Sequence, residues 1–216
     1  MTNKIDAVIW DFGGVVTTSP FEAFNRYEKE NGLPKDFVRQ VNAINPDHNA
    51  WAKLERSEVD ASEFDKLFRQ ESHKLGYEVP GKDILAQLSG DIRPRVVEAM
   101  KACKAKFKIG CITNNAPIGK GASMTTDETR ARDVEPVFAL FDHIIESSKL
   151  GMRKPDPRIY ALMCEALDVD PKRCVYLDDL GINLKPARAM GMTTIKVLNE
   201  EQLLEDLAEA TGIAVS

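Results

Sequence analysis

Residues 5–14 read IDAVIWDFGG, a short apolar run that ends on one aspartate and two glycines. A run of this length, rich in β-branched and aromatic residues, is typical of a strand buried on both faces of a parallel sheet. It places Asp11 just beyond the carboxyl end of the first predicted strand. Similar runs recur along the chain and predict further strands at about 106–112, 143–146, 174–177 and 193–197.

Helical patterns separate these predicted strands. Residues 95–104 and 157–167 carry apolar side chains at helical spacing, and 184–190 ends at Gly191, a residue type that commonly stops a helix. The alternation of strands and helices predicts an α/β fold with a doubly wound parallel sheet, similar to the Rossmann arrangement.

The interval between the first and second predicted strands is too long for a simple crossover. It covers residues 17–106, and most of it reads as charged helices. A crossover between parallel strands needs only about a dozen residues. We therefore expect a helical cap at 17–90, inserted into a core formed by 1–16 and 91–216.

Length and composition exclude several classes of protein. The chain has 216 residues, with 29 Lys and Arg against 34 Asp and Glu, so the formal net charge is −5. This acidic balance argues against a nucleic-acid partner. The sequence shows neither a signal-peptide pattern nor a long apolar stretch, so we expect no membrane partner and a cytoplasmic location. A homodimer formed through the cap is compatible with the sequence, although nothing in it requires one.

The four cysteines form no C-x-x-C pair. This spacing favours small buried thiols over a zinc site or a set of disulfides.

Polar residues follow the predicted strands where each of them ends. In open α/β sheets, ligands bind outside the carboxyl ends of the strands. The residues at these ends, together with one loop after the third strand, are Asp11, Gly13, Thr113, Asn114, Lys154, Asp178 and Asp179. Taken singly, such residues are more often turn residues, helix caps or solvated side chains. Their occurrence together predicts a functional site at this edge of the sheet.

These side chains suit phosphoryl transfer. A carboxylate such as Asp11 is a possible nucleophile towards phosphorus. The pair Asp178 and Asp179 favours a hard cation such as Mg²⁺, which prefers oxygen ligands. The Thr113 hydroxyl and the Lys154 ammonium are suited to hold the non-bridging phosphate oxygens.

Four segments resemble the motifs of the haloacid dehalogenase superfamily, in the branch with a helical cap after the first strand. They are VIWDFGGVV at 8–16, GCITNNA at 110–116, GMRKPDPRIY at 151–160 and CVYLDDLGINLKPARAMGM at 174–192. The last two look closest to the phosphatase domain found at the N-terminus of soluble epoxide hydrolase and in single-domain bacterial relatives. Together with the predicted cap, the matching segments extend over almost the whole chain.

The resemblance implies a role for each matched position. Asp11 matches the nucleophile that forms an aspartyl-phosphate, and Lys154 matches the lysine that neutralises nucleophile and phosphate. Thr113 and Asn114 match the phosphate-binding motif. The implied Mg²⁺ ligands are Asp11, the main-chain carbonyl of Gly13, Asp179 and its neighbour Asp178. Asn183 matches a residue that organises the same loop.

The sequence departs from the family pattern at Gly13. Most phosphatases of this family carry a second aspartate there, which acts as general acid and base. Such catalysis typically contributes roughly 10²–10⁴-fold to the rate. A water, a leaving group of low pKa or a cap residue would have to take its place, and the cap candidates are His48, Lys53 and Glu55.

The sequence leaves three functions open. The first is a Mg²⁺-dependent phosphatase acting on a small organic phosphomonoester, which is the hypothesis that the motifs favour. The second is a 2-haloacid dehalogenase that uses Asp11 on carbon without a metal. The third is a phosphate-binding module with little turnover, for which Gly13 is the only support. Asp178 and Asp179 argue against the dehalogenase, because a metal-free site for an anionic substrate has no use for extra carboxylates.

Overall fold

The computed structural model describes residues 4–119, 124 and 128–213. Its central sheet contains β1 Ala7–Trp10, β2 Lys108–Thr113, β3 His143–Glu146, β4 Cys174–Asp178 and β5 Thr193–Lys196. The strand order is β3-β2-β1-β4-β5, and each strand is parallel to its neighbours. The central strand β1 is buried along its whole length, as its continuous apolar sequence predicts. The prediction of an α/β fold with a parallel sheet is confirmed.

The chain between β1 and β2 is mostly helical and lies largely within the interval expected for a cap. Its helices are α1 Pro20–Glu30, α2 Phe37–Ala43, α3 Ala50–Glu55, α4 Ala61–His73 and α5 Gly81–Leu85, followed by α6 Pro94–Lys104. Local capping fixes several starts: the Asn49 side chain accepts a hydrogen bond from Ala52 N, and Asp60 accepts one from Glu63 N. Helices α1–α5 bury an apolar cluster that includes Phe24, Phe37, Leu54, Phe64 and Phe68.

Two chain segments connect these helices to the sheet, and they lie side by side. Thr17 and Ile92 form an antiparallel bridge, and the Arg93 amide donates to the Val16 carbonyl. The chain therefore enters and leaves the helical segment between β1 and β2 through two adjacent connections.

Helices cover both faces of the sheet, as expected for a doubly wound fold. The remaining ones are α7 Glu128–Phe138, α8 Ser147–Leu150, α9 Pro157–Leu167, α10 Gly181–Ala189 and α11 Glu200–Thr211. A short 3-10 helix, Pro171–Arg173, precedes β4. One apolar cluster joins residues of α6, α7 and α11 to one face, and a second joins residues of α9 and α10 to the other. The cysteines are buried. Within the described ranges, no helix combines the length and apolar character that crossing a membrane requires.

Candidate active site

The side chains predicted from the strand ends meet at one edge of the sheet. Asp11 follows β1, Thr113 ends β2, and Asp178 ends β4 with Asp179 next to it. These three strands are parallel and adjacent in the sheet, so their carboxyl ends lie together and bring the four residues to one place. Lys154 reaches the same place from the loop between α8 and α9.

Lys154 is the charge at the centre of this group. Its Nζ atom lies 2.8 Å from Oδ1 of Asp11 and 2.8 Å from Oδ2 of Asp178, and its side chain is only 1% exposed. Burial alone lowers the pKa of the ammonium, but the two carboxylates raise this pKa above its usual range. The lysine is therefore held as a cation between two carboxyl groups.

The Asp11 carboxylate faces opposing influences. Burial raises its pKa well above the usual value for aspartate, Lys154 lowers it, and the nearby carboxylates of Asp178 and Asp179 raise it further. Its Oδ1 atom also accepts a hydrogen bond of 2.7 Å from the Phe12 amide. A second cation beside Asp11 would favour the ionised form that a nucleophile needs.

Asp178 is fully buried, and both its oxygens accept hydrogen bonds from protein donors. Besides Lys154, Oδ2 accepts from the Tyr176 hydroxyl at 2.5 Å, and Oδ1 accepts from the Leu180 amide at 2.8 Å. The Asn183 side-chain amide lies 3.1 Å from each oxygen. Asp178 is therefore held rigidly and fixes the position of Lys154. Asn183 helps to hold it, through its hydrogen bonds to both oxygens.

Asp179, like Asp11, lines the cavity. Its carboxylate lies against Gly14: a Cβ atom there would stand 2.3 Å from Oδ2 of Asp179, and the φ angle of Gly14 is +78°. Only glycine adopts this conformation at low cost and leaves room for the carboxylate. Burial, with Asp178 as the next cause, raises the pKa of Asp179 to about 6.

Asp11, Asp178 and Asp179 form a set of donors that fits a divalent cation. Each offers a carboxylate oxygen, and these oxygens lie within 4.8 Å of one another. Hard oxygen donors are what Mg²⁺ prefers. Burial and, after it, the neighbouring Asp178 raise the pKa of Asp179, and a cation beside these carboxylates would offset both effects. Gly13, whose carbonyl the resemblance implies as a further ligand, lines the same cavity.

Asn114 holds the Lys154 segment in place. Its Oδ1 atom accepts from the Lys154 amide at 2.8 Å, and its Nδ2 atom donates to the Lys154 carbonyl at 3.1 Å. The same Nδ2 atom lies 3.4 Å from Oε2 of Glu55. Asn114 lines the cavity as well, so the predicted substrate-binding position is also a structural one.

Sequence reasoning missed several supporting residues. Asn115 is buried and fastens the end of β2 to α8, because its Oδ1 atom accepts from the Ser148 amide at 3.2 Å and the Ser148 hydroxyl at 2.9 Å. Arg153 forms an ion pair with Glu55 at 2.5 Å. In the sequence, its position next to Lys154 was the one feature that could have indicated a role in the site. Of the three cap residues considered as acid or base, Glu55 lines the cavity.

A cavity of about 470 Å³ lies above these groups, between the sheet edge and helices α1–α3. Its floor contains Asp11, Thr113, Lys154 and Asp179. Its apolar walls include Phe21, Phe24, Trp51, Leu88, Leu180 and Ile182. A cavity with a polar floor and apolar walls is typical of a small-molecule site.

Comparison with known proteins agrees with this arrangement. The family model for haloacid dehalogenase-like hydrolases matches residues 5–191. Bifunctional epoxide hydrolase 2 of Mus musculus is 30% identical over 94% of this chain, but the chain covers only 38% of that protein. A sesquiterpene phosphatase of Aspergillus oryzae is 25% identical, with 98% of this chain and 100% of that protein aligned.

Solved structures show the same fold at low identity. A HAD-family enzyme of Bacteroides thetaiotaomicron, in complex with magnesium and inorganic phosphate, has a TM-score of 0.58 at 20% identity, covering 89% of this chain and 93% of that one. An L-2-haloacid dehalogenase of Xanthobacter autotrophicus has a TM-score of 0.60 at 19% identity, covering 96% and 84%. With the family model matching most of its length, this chain belongs to the haloacid dehalogenase-like hydrolases.

Proposed function

We propose that this hydrolase is a Mg²⁺-dependent phosphatase that cleaves a small organic phosphomonoester through an aspartyl-phosphate on Asp11. The observation that carries the proposal is the buried bridge formed by Lys154 between Asp11 and Asp178, with Asp179 beside it. A nucleophilic carboxylate, a fixed cation and a divalent-metal donor set at a cavity floor are the groups that phosphoryl transfer needs.

The residues divide the chemistry between them. One oxygen of Asp11 attacks phosphorus, the bond from phosphorus to the ester oxygen breaks, and the leaving oxygen keeps that electron pair and takes a proton from water to become the alcohol. Water then attacks the same phosphorus atom, which releases phosphate and returns Asp11 as a carboxylate. Lys154 and Thr113 hold the non-bridging oxygens, whose charge is greatest in the transition state.

The metal ligands in this proposal are Asp11, Asp179 and the carbonyl of Gly13. Asp178, the fourth position implied by the resemblance, supports them from behind, because its oxygens already accept from Lys154, Tyr176, Leu180 and Asn183. When bound, Mg²⁺ supplies positive charge that offsets the carboxylates and the phosphate oxygens. The chain itself supplies the orientation of these donors, through the hydrogen bonds that surround Asp178 and the close contact between Gly14 and Asp179.

The substrate that fits this cavity carries an apolar organic group. Phe21, Trp51 and Leu88 line its walls, and Leu180 and Ile182 are partly exposed at its edge. Arg39 also lines it, but its guanidinium is partnered, 4.2 Å from the centre of the Phe21 ring and 3.1 Å from Asp36. The full-length match to a sesquiterpene phosphatase supports the same class of substrate.

Two assays test this proposal. We expect phosphate release from alkyl and aryl phosphates with Mg²⁺ and loss of that release in EDTA. We expect no chloride release from 2-chloropropionate without added metal. Chloride release would support the dehalogenase, and Mg²⁺-dependent phosphate binding without turnover would support the binding module.

A further inference from the structure

Glu55 is a buried carboxylate at the junction between the cap helices and the sheet edge. It ends α3, is 7% exposed and lines the cavity. Its Oε1 atom accepts from the Trp51 indole at 2.9 Å, and its Oε2 atom pairs with Arg153 at 2.5 Å and lies 3.4 Å from Asn114 Nδ2. One partner therefore belongs to the cap and two belong to the core.

Both core partners of Glu55 act on the segment that carries the catalytic lysine. Arg153 is the residue directly before Lys154. Asn114 binds the amide and the carbonyl of Lys154 through one side chain, at 2.8 Å and 3.1 Å. Hydrogen bonds thus run from Trp51 through Glu55 and Asn114 to the main chain of Lys154, and the ammonium of the same lysine forms the ion pair with Asp11.

Burying this carboxylate is costly, so stability alone does not account for it. Burial raises the pKa of Glu55, which Arg153 and Trp51 oppose. Buried ion pairs are weak stabilisers compared with apolar contacts of similar volume. What Glu55 does provide is a fixed geometry, because the hydrogen bonds that it accepts from Trp51 and Asn114 have preferred directions, and Arg153 adds an ion pair.

We propose that Glu55 is a positioning residue, which fixes the Lys154 segment when the cap helices lie against the core. The effect on turnover rests on the proposed phosphatase function; the effect on the Lys154 segment does not. Through Asn114 and Arg153, the position of α3 determines how well Lys154 is held beside Asp11. A site assembled only with the cap in place becomes complete when the cap encloses the substrate.

The chain offers a matched control at Ser57. The Ser57 hydroxyl donates to the Ser148 carbonyl at 2.7 Å, so it also joins the cap segment to the core. This contact reaches α8 and not Asn114 or Lys154. Ser57→Ala therefore removes a cap contact, whereas Glu55→Gln removes the charge that pairs with Arg153 and leaves one acceptor oxygen for the donors of Trp51 and Asn114.

The test compares Glu55→Gln, Asn114→Ala, the double variant and Ser57→Ala, with p-nitrophenyl phosphate and Mg²⁺. We expect kcat to fall about 10- to 100-fold in Glu55→Gln, because small displacements of groups at a reacting centre cause rate losses of this size. Asn114→Ala should lose a similar factor, and the double variant should lose no more than the larger single loss, because the residues act in one chain. Ser57→Ala should keep kcat within about twofold of wild type.

Hydrogen exchange of residues 151–158 gives a second readout that needs no activity. We expect faster exchange in Glu55→Gln and unchanged exchange in Ser57→Ala. Equal losses of kcat in both, or losses that multiply in the double variant, would overturn the proposal. So would a Glu55→Gln variant with a lower melting temperature but wild-type kcat and exchange. A wild-type protein without turnover would instead contradict the phosphatase function, while the exchange data would still decide the role of Glu55.

Discussion

The Nζ atom of Lys154 lies 2.8 Å from Oδ1 of Asp11, and both side chains are buried below the cavity. The lysine has almost no contact with solvent, and the carboxylate has little. Each therefore depends on the other, with Asp178 completing the arrangement at 2.8 Å on the other side of Nζ.

Lys154→Met should destabilise the protein as well as inactivate it. Removing the cation leaves Asp11 and Asp178 buried without a counter-charge, which typically costs about 3–5 kcal/mol. Urea unfolding at neutral pH measures this loss. Lys149→Met is the control, because Lys149 is 73% exposed in its pair with Glu146 and its loss should cost no more than about 0.5 kcal/mol. Equal stability of both variants would contradict this view of Lys154.

Gly14→Ala should abolish activity, whereas Gly13→Ala should be tolerated. A methyl group at Gly14 would stand 2.3 Å from Oδ2 of Asp179, at a φ of +78°, while one at Gly13 meets no atom within 4 Å. We expect Gly14→Ala to weaken Mg²⁺ binding at least about tenfold in calorimetry, as the carboxylate is displaced. Unchanged Mg²⁺ affinity in this variant would show that Asp179 is not a ligand.

Gly13→Asp should raise turnover of substrates with poor leaving groups. The open space at Gly13 accepts a side chain, and an aspartate there would supply the missing general acid. We expect kcat for alkyl phosphates to rise about 10- to 100-fold, at or below the lower limit of the roughly 10²–10⁴-fold contribution typical of general acid–base catalysis. The rate for p-nitrophenyl phosphate, whose leaving group needs no proton, should change little.

Gly13→Asn is the control for this gain, because an amide has the same shape without the acidic proton. Equal gains in the Asp and Asn variants would show that general acid catalysis is not the cause.

Asp179→Asn should stabilise the metal-free protein in a pH-dependent way. The pKa of Asp179 is about 6, against 3.8 when unperturbed, so the folded state binds its proton more tightly than the unfolded state. This group therefore costs stability as pH rises from about 4 to about 6, and the full cost remains above that window. The variant should melt a few degrees higher than wild type at pH 7 and at the same temperature at pH 3.5.

Excess Mg²⁺ should reverse that order at pH 7, because wild type alone keeps the full set of ligands. A melting difference that does not vary with pH would contradict the raised pKa.

The strands and the residues at their ends could be predicted from the sequence for a physical reason. A strand buried on both faces must be apolar throughout, and residues 7–10 and 174–177 show this plainly. Because the strands are parallel, polar residues directly after such runs all lie at the carboxyl edge of the sheet. The positions of Asp11, Thr113 and Asp178 could therefore be predicted without knowledge of long-range contacts.

Short or interrupted helices were harder to predict. Helix α3, Ala50–Glu55, is only six residues long, so it shows no helical period, and α8, Ser147–Leu150, is shorter still. Helix α7, Glu128–Phe138, contains Pro136, a residue that usually argues against a helix. The sequence analysis predicted none of these three.

The contacts that position the site depend on the whole fold. Glu55 and Arg153 lie far apart in the chain, and no local pattern links them. The donors around Asp178 come from a strand, a turn and a helix, each ordinary in sequence. Motifs predicted which residues react, but the structure was needed to identify which residues hold them.

The measurement that tests the central claim most directly is p-nitrophenol release by wild type and Asp11→Asn, each with Mg²⁺ and with EDTA. Our account predicts turnover by wild type with Mg²⁺, its loss in EDTA and its loss in Asp11→Asn, because the amide is a far weaker nucleophile. Turnover that survives in Asp11→Asn, or wild-type turnover unaffected by EDTA, would contradict a Mg²⁺-dependent phosphatase that acts through Asp11.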